Sequence, residues 1–108
     1  MIRHCVMLRL RDDHDRVALN DVIAQLQKLT GQLDNCGGFC AGPNRDYEDK
    51  SPDYPFGFTI DFASAQALSV YANDPRHQML GARLVSFCDG GCDGITVYDL
   101  EIADPVTR

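Results

Sequence analysis

A chain of 108 residues, 44% hydrophobic and 24% charged, has room for one domain with one core, and its composition is that of a globular protein rather than a disordered or membrane-embedded one. The net charge of −6, from 16 acidic against 10 basic side chains, argues against a nucleic-acid partner, because phosphate binding draws on clustered Lys and Arg. No apolar run approaches the ~20 residues of a membrane span, and the N-terminus has no basic segment followed by a hydrophobic one, so the expectation is a cytoplasmic protein without a membrane partner.

The first element is MIRHCVMLRL. Ile2, His4, Val6, Leu8 and Leu10 share one face of a strand over residues 2 to 10, and Arg3, Cys5, Met7 and Arg9 share the other. The acidic run 12 to 15 supplies N-caps for a helix carrying Leu19, Val22, Ile23, Leu26 and Leu29 at spacings of three and four, with Gly31 as its expected stop. CGGFCAG, 36 to 42, reads as a weak strand. A long polar loop, 43 to 55, precedes FGFTIDF, whose Phe56, Phe58, Ile60 and Phe62 alternate as in a half-buried strand. Ser64 caps a second helix with Leu68, Tyr71 and Ala72. Asp74-Pro75 ends it and starts a third, since Pro fits the first helical turn and Asp accepts free N–H groups there. A glycine turn at 90 to 94 leads into GITVYDLEI, the fourth strand.

This order predicts a single α+β domain over residues 1 to 108: a ferredoxin-like, antiparallel four-stranded sheet with helices on one face. The other sheet face, with Cys5, Met7, Tyr98 and Leu100, is still apolar. Its expected partner is a second copy in a homodimer with the sheets face to face.

Three polar-tipped side chains point inward from different elements. His4 stands among the aliphatics of the first strand, Tyr71 shares a stripe with Leu68, and His77 lies on the stripe His77, Leu80, Leu84, Cys88. Any one alone is most simply a hydrogen-bonded core residue; together they outline a pocket. A partly buried imidazole stays neutral and suits proton abstraction near neutral pH, and a phenol can orient it or donate to a carbonyl. His14, in the acidic helix start, is expected to be solvated. The cysteines form two C-x3-C pairs, Cys36/Cys40 and Cys88/Cys92, with Cys5 left over. Zinc sites favour C-x2-C or C-x4-C turns, and an extended strand would hold Cys36 and Cys40 ~13 Å apart, so no metal is expected. The odd count argues for free, mostly buried thiols rather than a disulfide framework. The 43–55 loop has the length of a lid, a binding loop or a dimer contact. Tyr54 and Phe56 are its pocket or lid candidates.

MIRHCVMLRL, AGPN (41 to 44), DYPFGFTIDF (53 to 62) and YANDPRHQML (71 to 80) together resemble the stress-responsive A/B barrel (Dabb) domain family, over nearly the whole chain from Ile2 to about Ile102. The resemblance implies a dimeric α+β barrel. It also implies a route to function, because the family's plant olivetolic acid cyclases close a linear polyketide by aldol condensation without metal or organic cofactor. Their catalytic histidine of a Pro-x-His segment matches His77, the assisting tyrosine six residues earlier matches Tyr71, and a first-strand histidine matches His4. Two departures stand out: Asp74 and Phe56 occupy positions where many members carry histidine. The reading is therefore a cofactor-free cyclase or proton-transfer enzyme for a polyketide-like or aromatic carbonyl compound, with a non-catalytic, stress-responsive protein binding a small hydrophobic or aromatic ligand as the alternative.

Overall fold

The computed structural model describes residues 1 to 103. Four strands form one sheet: β1 (Ile2–Leu8), β2 (Cys36–Pro43), β3 (Phe56–Phe62) and β4 (Ile95–Glu101), in the order β2-β3-β1-β4 with every pair antiparallel. Helices α1 (Arg16–Gln32), α2 (Ala65–Asn73) and α3 (Pro75–Phe87) complete the second layer, and a 3₁₀ turn at Gly91–Gly94 leads into β4. Two strands in the middle of the sheet make the core because both alternate. Val6 lies opposite Phe58, Leu8 opposite Phe56 and His4 opposite Ile60, so each pair faces the helices together. Leu19, Val22, Leu26 and Leu29 of α1, Tyr71 of α2, and Leu80, Leu84 and Phe87 of α3 cover them, all buried. Each such aliphatic or aromatic side chain contributes about 1.5–3 kcal/mol of burial, which is what holds the layers together. Among the described residues no helix is long and apolar enough to cross a membrane.

Short polar side chains set the helix starts. Asp15 accepts from the Ala18 N–H at 3.0 Å and Ser64 from the Ala67 N–H at 3.2 Å. Asp74 serves two helices at once: its own N–H donates to Tyr71 O at 3.1 Å, closing α2, while its Oδ1 accepts from the Arg76 N–H at 2.8 Å, opening α3 behind Pro75. The Arg76 guanidinium and backbone N–H hold the Asp74 carboxyl down to about 2, so the cap is charged at any physiological pH.

Three expectations are corrected. Gly31 does not stop α1, which runs on to Gln32, because Leu33 beyond it still packs on the core; the left-handed turn falls at Asn35, φ 64°. Cys88 lies just past the end of α3 as its C-cap. The thiols are not mostly buried: Cys88 is, Cys5 and Cys36 are half-buried, and Cys40 and Cys92 are exposed. Cys40 sits on edge strand β2 opposite Thr59, on the face away from the helices, and Cys92 in the 3₁₀ turn.

That second sheet face stays open, with Tyr98 57% and Leu100 51% exposed. The 43–55 loop folds against it as a defined structure. The Asn44 amide donates to Ser51 Oγ and Tyr54 O, Asp46 Oδ1 accepts from Lys50 N, Ser51 N and Ser51 Oγ, and Thr96 Oγ1 donates to Tyr54 Oη at 2.8 Å, tying the loop to β4. A cavity of about 420 Å³ lies between loop and sheet, bordered by Cys5, Met7, Tyr54 and Tyr98.

Two glycines of opposite character test this packing. At Gly81, inside α3, an added Cβ meets nothing within 4 Å, so Gly81→Ala should stabilise by about 0.5–1 kcal/mol. At Gly94 the same Cβ would lie 2.3 Å from Asp89 O and 2.9 Å from Cys88 Cβ, so Gly94→Ala should destabilise by about 1–3 kcal/mol. Urea unfolding of the two variants reads both signs; a stabilised Gly94→Ala protein would contradict the turn geometry.

Candidate active site

His4, Tyr71 and His77 come together at the end of the interlayer space where Ile2 and Phe62 pair. β1 supplies His4 on its helix-facing side, α2 supplies Tyr71 in its last turn, and the Asp74-Pro75 cap turns the chain so that His77 falls in the first turn of α3. The Tyr71 ring centroid is 4.3 Å from that of His77 and 6.2 Å from that of His4, and Phe62 packs on both Tyr71 (5.2 Å) and His4 (6.0 Å). Tyr71 is only 1% exposed, whereas His77 is half-buried. Tyr71 and Phe62 thus fill the space where an interlayer pocket was expected, and none of the five cavities described borders the three residues. Half-buried His77 marks the exposed margin of the cluster.

Both imidazoles are pinned by the same nitrogen. His4 Nδ1 donates to Asp99 Oδ1 at 2.6 Å, and His77 Nδ1 donates to Ala72 O at 3.1 Å. A carboxylate and a carbonyl can only accept, so each Nδ1 carries its hydrogen and each neutral ring presents Nε2 as a lone pair. Burial pushes the His77 imidazole below its ordinary value and proximity to His4 adds to this, against weaker opposing effects of the Ala72 carbonyl and Asp74; His77 is therefore a neutral base. Burial pushes the Tyr71 phenol well above its ordinary value, with Cys36 adding to it, so the phenol keeps its proton. Among the described residues no hydrogen bond joins the Tyr71 hydroxyl to either imidazole; the contact is ring to ring.

Asp99 is the member of this cluster that reading the sequence missed. Its pairing with His4 depends on the register of β4 against β1, which sets residue 99 directly opposite residue 4, and nothing local to YDLE shows it. Tyr54 and Phe56 are not brought to the histidines. Tyr54 is bonded to Thr96 on the open sheet face, and Phe56 pairs with Leu8, four residues or about 13 Å along β1 from His4. His14 is tied to its own turn, Nδ1 donating to Arg11 O at 2.6 Å. No group of three or more His, Cys, Asp and Glu side chains among the described residues is placed to hold a metal ion.

The sheet order, the helical layer on one face and the split β-α-β pattern define a ferredoxin-like α+β protein. Within that class the chain belongs to the Stress responsive A/B Barrel Domain (Dabb) family, whose model matches residues 2–102. It is similar to a dimeric ferredoxin-like protein of unknown function from Jannaschia sp. CCS1, with 40% identity over 94% of this chain and 98% of that one and a TM-score of 0.89. At lower identity it shares its fold with a dimeric ferredoxin-like protein of unknown function from Thermobifida fusca YX (18% identity, 94% of this chain and 90% of that one, TM-score 0.74). The fold is shared as well with the hydroxynitrile lyase of Passiflora edulis (14% identity, 95% and 94%, TM-score 0.79). Comparison with curated proteins found no match.

A lowered His77 has a consequence for stability. The unfolded chain binds the proton first, at the ordinary histidine value of ~6.5, so folding stability contributed by His77 is intact above that value and is lost as pH falls below it towards the lower folded value. Wild type should therefore lose stability between about pH 7 and pH 5, and His77→Gln should lose less over the same window. Urea midpoints at the two pH values measure it; equal losses in the two proteins would show that His77 is not held neutral.

Proposed function

We propose that the protein is an acid–base enzyme that moves a proton on a small aromatic or polyketide-like carbonyl compound. The observation that carries this is the pinning of both imidazoles by Nδ1, which leaves both Nε2 atoms without a hydrogen-bond partner on rings packed around a buried, protonated phenol. In this reading His77 Nε2 takes the proton from the carbon beside a carbonyl, and the electron pair moves onto that carbonyl as an enolate. The enolate carbon attacks a second carbonyl of the same molecule, and the oxygen formed there takes a proton in turn. Tyr71 orients the His77 ring by packing against it, and His4 holds the polar end of the substrate. The match of Tyr71 and His77 to the cyclase pair of the family supports this assignment.

The same reading makes the protein a homodimer. The apolar open face of Cys5, Met7 and Leu100 calls for a cover, the relatives from Jannaschia and Thermobifida are described as dimeric, and a standard interface of ~1,600 Å² fits one sheet face. A second reading, a non-catalytic binder, is favoured by the cavity of about 420 Å³ beside Tyr54 and Tyr98, whose size falls within the range of small-molecule sites.

With a linear aryl polyketone as probe, cyclisation followed in absorbance should fall ~10²- to 10⁴-fold in His77→Ala with the fold intact, and less in Tyr71→Phe. A His77→Ala protein that cyclises like wild type would overturn the assignment, and a wild type that binds the probe without turning it over would favour the binder. Sedimentation at micromolar concentration should give a dimer that Leu100→Asp weakens. A monomeric wild type would contradict the face-to-face arrangement.

A further inference from the structure

We infer that Asp99 is a positioning residue that makes His4 the second proton-transfer group of the site, the partner that gives a proton where His77 takes one. The inference rests on the acid–base reading above and adds a division of labour to it. The two histidines present the same atom but have different neighbours. His77 donates its Nδ1–H to a backbone carbonyl, which carries no charge, and is desolvated; a second proton on that ring has no counter-ion bonded to it. His4 donates its Nδ1–H to a carboxylate at 2.6 Å, so a second proton, on Nε2, makes an imidazolium already joined to its counter-ion by a short charge-assisted bond. The first environment suits a base and the second an acid.

Register, rather than chance contact, produces the pair. Residues 4 and 99 are direct cross-strand partners on the helix-facing side, with β4 at the sheet edge. The edge position leaves the Asp99 side chain 43% exposed while that of His4 is only 13% exposed, so the carboxylate keeps its contact with water and the ring it holds is largely out of it. Holding Nδ1 turns Nε2 away from β4, on the ring that packs against Tyr71, which in turn packs against His77. In the bond-forming step His77 Nε2 accepts the proton lost by carbon, and His4, having first taken a second proton from solvent onto Nε2, gives that proton to the oxygen that becomes a hydroxyl, its Nδ1–H still held by Asp99. The site ends with the same number of protons, one having moved from His4 to His77, and solvent exchange at the exposed margin restores the start.

The test has a readout independent of any substrate. Imidazole ¹⁵N correlation spectra of wild type at pH 8 should show His4 and His77 both as the Nδ1–H tautomer. In Asp99→Ala, His4 should move to the Nε2–H tautomer favoured by unrestrained imidazole, with His77 unchanged. His4 found as the Nε2–H form in wild type, or unmoved in Asp99→Ala, would overturn the inference. A second arm separates acid from base. Exchange of the α-hydrogen of an aryl β-diketone in D₂O needs only the base, so in Asp99→Ala cyclisation of the polyketone should fall at least tenfold more than exchange does; equal loss of both would refute the division of roles. A wild type with the expected tautomers that neither exchanges nor cyclises these probes would count against the acid–base reading while leaving the Asp99–His4 pairing standing.

Discussion

The register of β1 is the constraint on which the rest depends. This strand is hydrogen-bonded on both sides, to β3 and to β4, and its two ladders place residue 4 opposite Ile60 on one side and Asp99 on the other. Because side chains alternate faces, a slip of one residue would send Ile2, His4, Val6 and Leu8 to the open face and empty the core. The energy that holds the register is the burial of Val6 and Leu8 against Phe58, Ile60 and the α1 stripe. A histidine is carried along in that alternation. Its place in the cluster is therefore a by-product of hydrophobic packing two and four residues further along the same strand, and it needs no local stabilisation of its own.

The other half of the cluster depends on one side chain. Asp74 closes α2 through its backbone and opens α3 through its carboxylate, so two helices meet with no intervening loop. Tyr71, in the last turn of one, and His77, in the first turn of the next, are thereby packed ring on ring although neither hydrogen-bonds the other. Asp74 is thus a capping residue whose charge is matched by Arg76. Its carboxylate also acts weakly on His77, favouring the protonated ring, but burial outweighs it, as it does for any imidazole taken largely out of water.

Elements whose signal is local were legible in the sequence. The alternation of β1 and of FGFTIDF, the three-four spacing of α1, and the caps Ser64 and Asp74 each state a physical requirement within a few residues. They suffice for an α+β sandwich with helices on one face. Features that depend on distant partners were not legible. Asp99 reads as one more acidic residue on an exposed strand until β4 is laid against β1. Tyr54 reads as the rim of the interlayer pocket until Thr96, 42 residues later, donates to its hydroxyl on the other side of the sheet, where Tyr54 borders a different cavity. Gly31 looks like a stop because glycine ends helices when nothing beyond it is buried, and here Leu33 still packs on the core. The expected pocket failed for a related reason: inward direction can be inferred from periodicity, but whether the rings of Tyr71 and Phe62 leave room between them depends on how far apart the layers stand.

The central claim is that a small carbonyl ligand is handled at the His4–Tyr71–His77 cluster and not in the cavity on the open sheet face. Chemical-shift mapping with an alkyl-resorcinol probe separates the two, since the cluster and the cavity share no residue and lie on opposite faces of one sheet. The account predicts shifts at the His4 and His77 imidazoles and at the α2–α3 junction, with Cys5, Tyr54 and Thr96 unmoved. Shifts confined to Cys5, Tyr54, Thr96 and Tyr98, with both imidazoles silent, would contradict it.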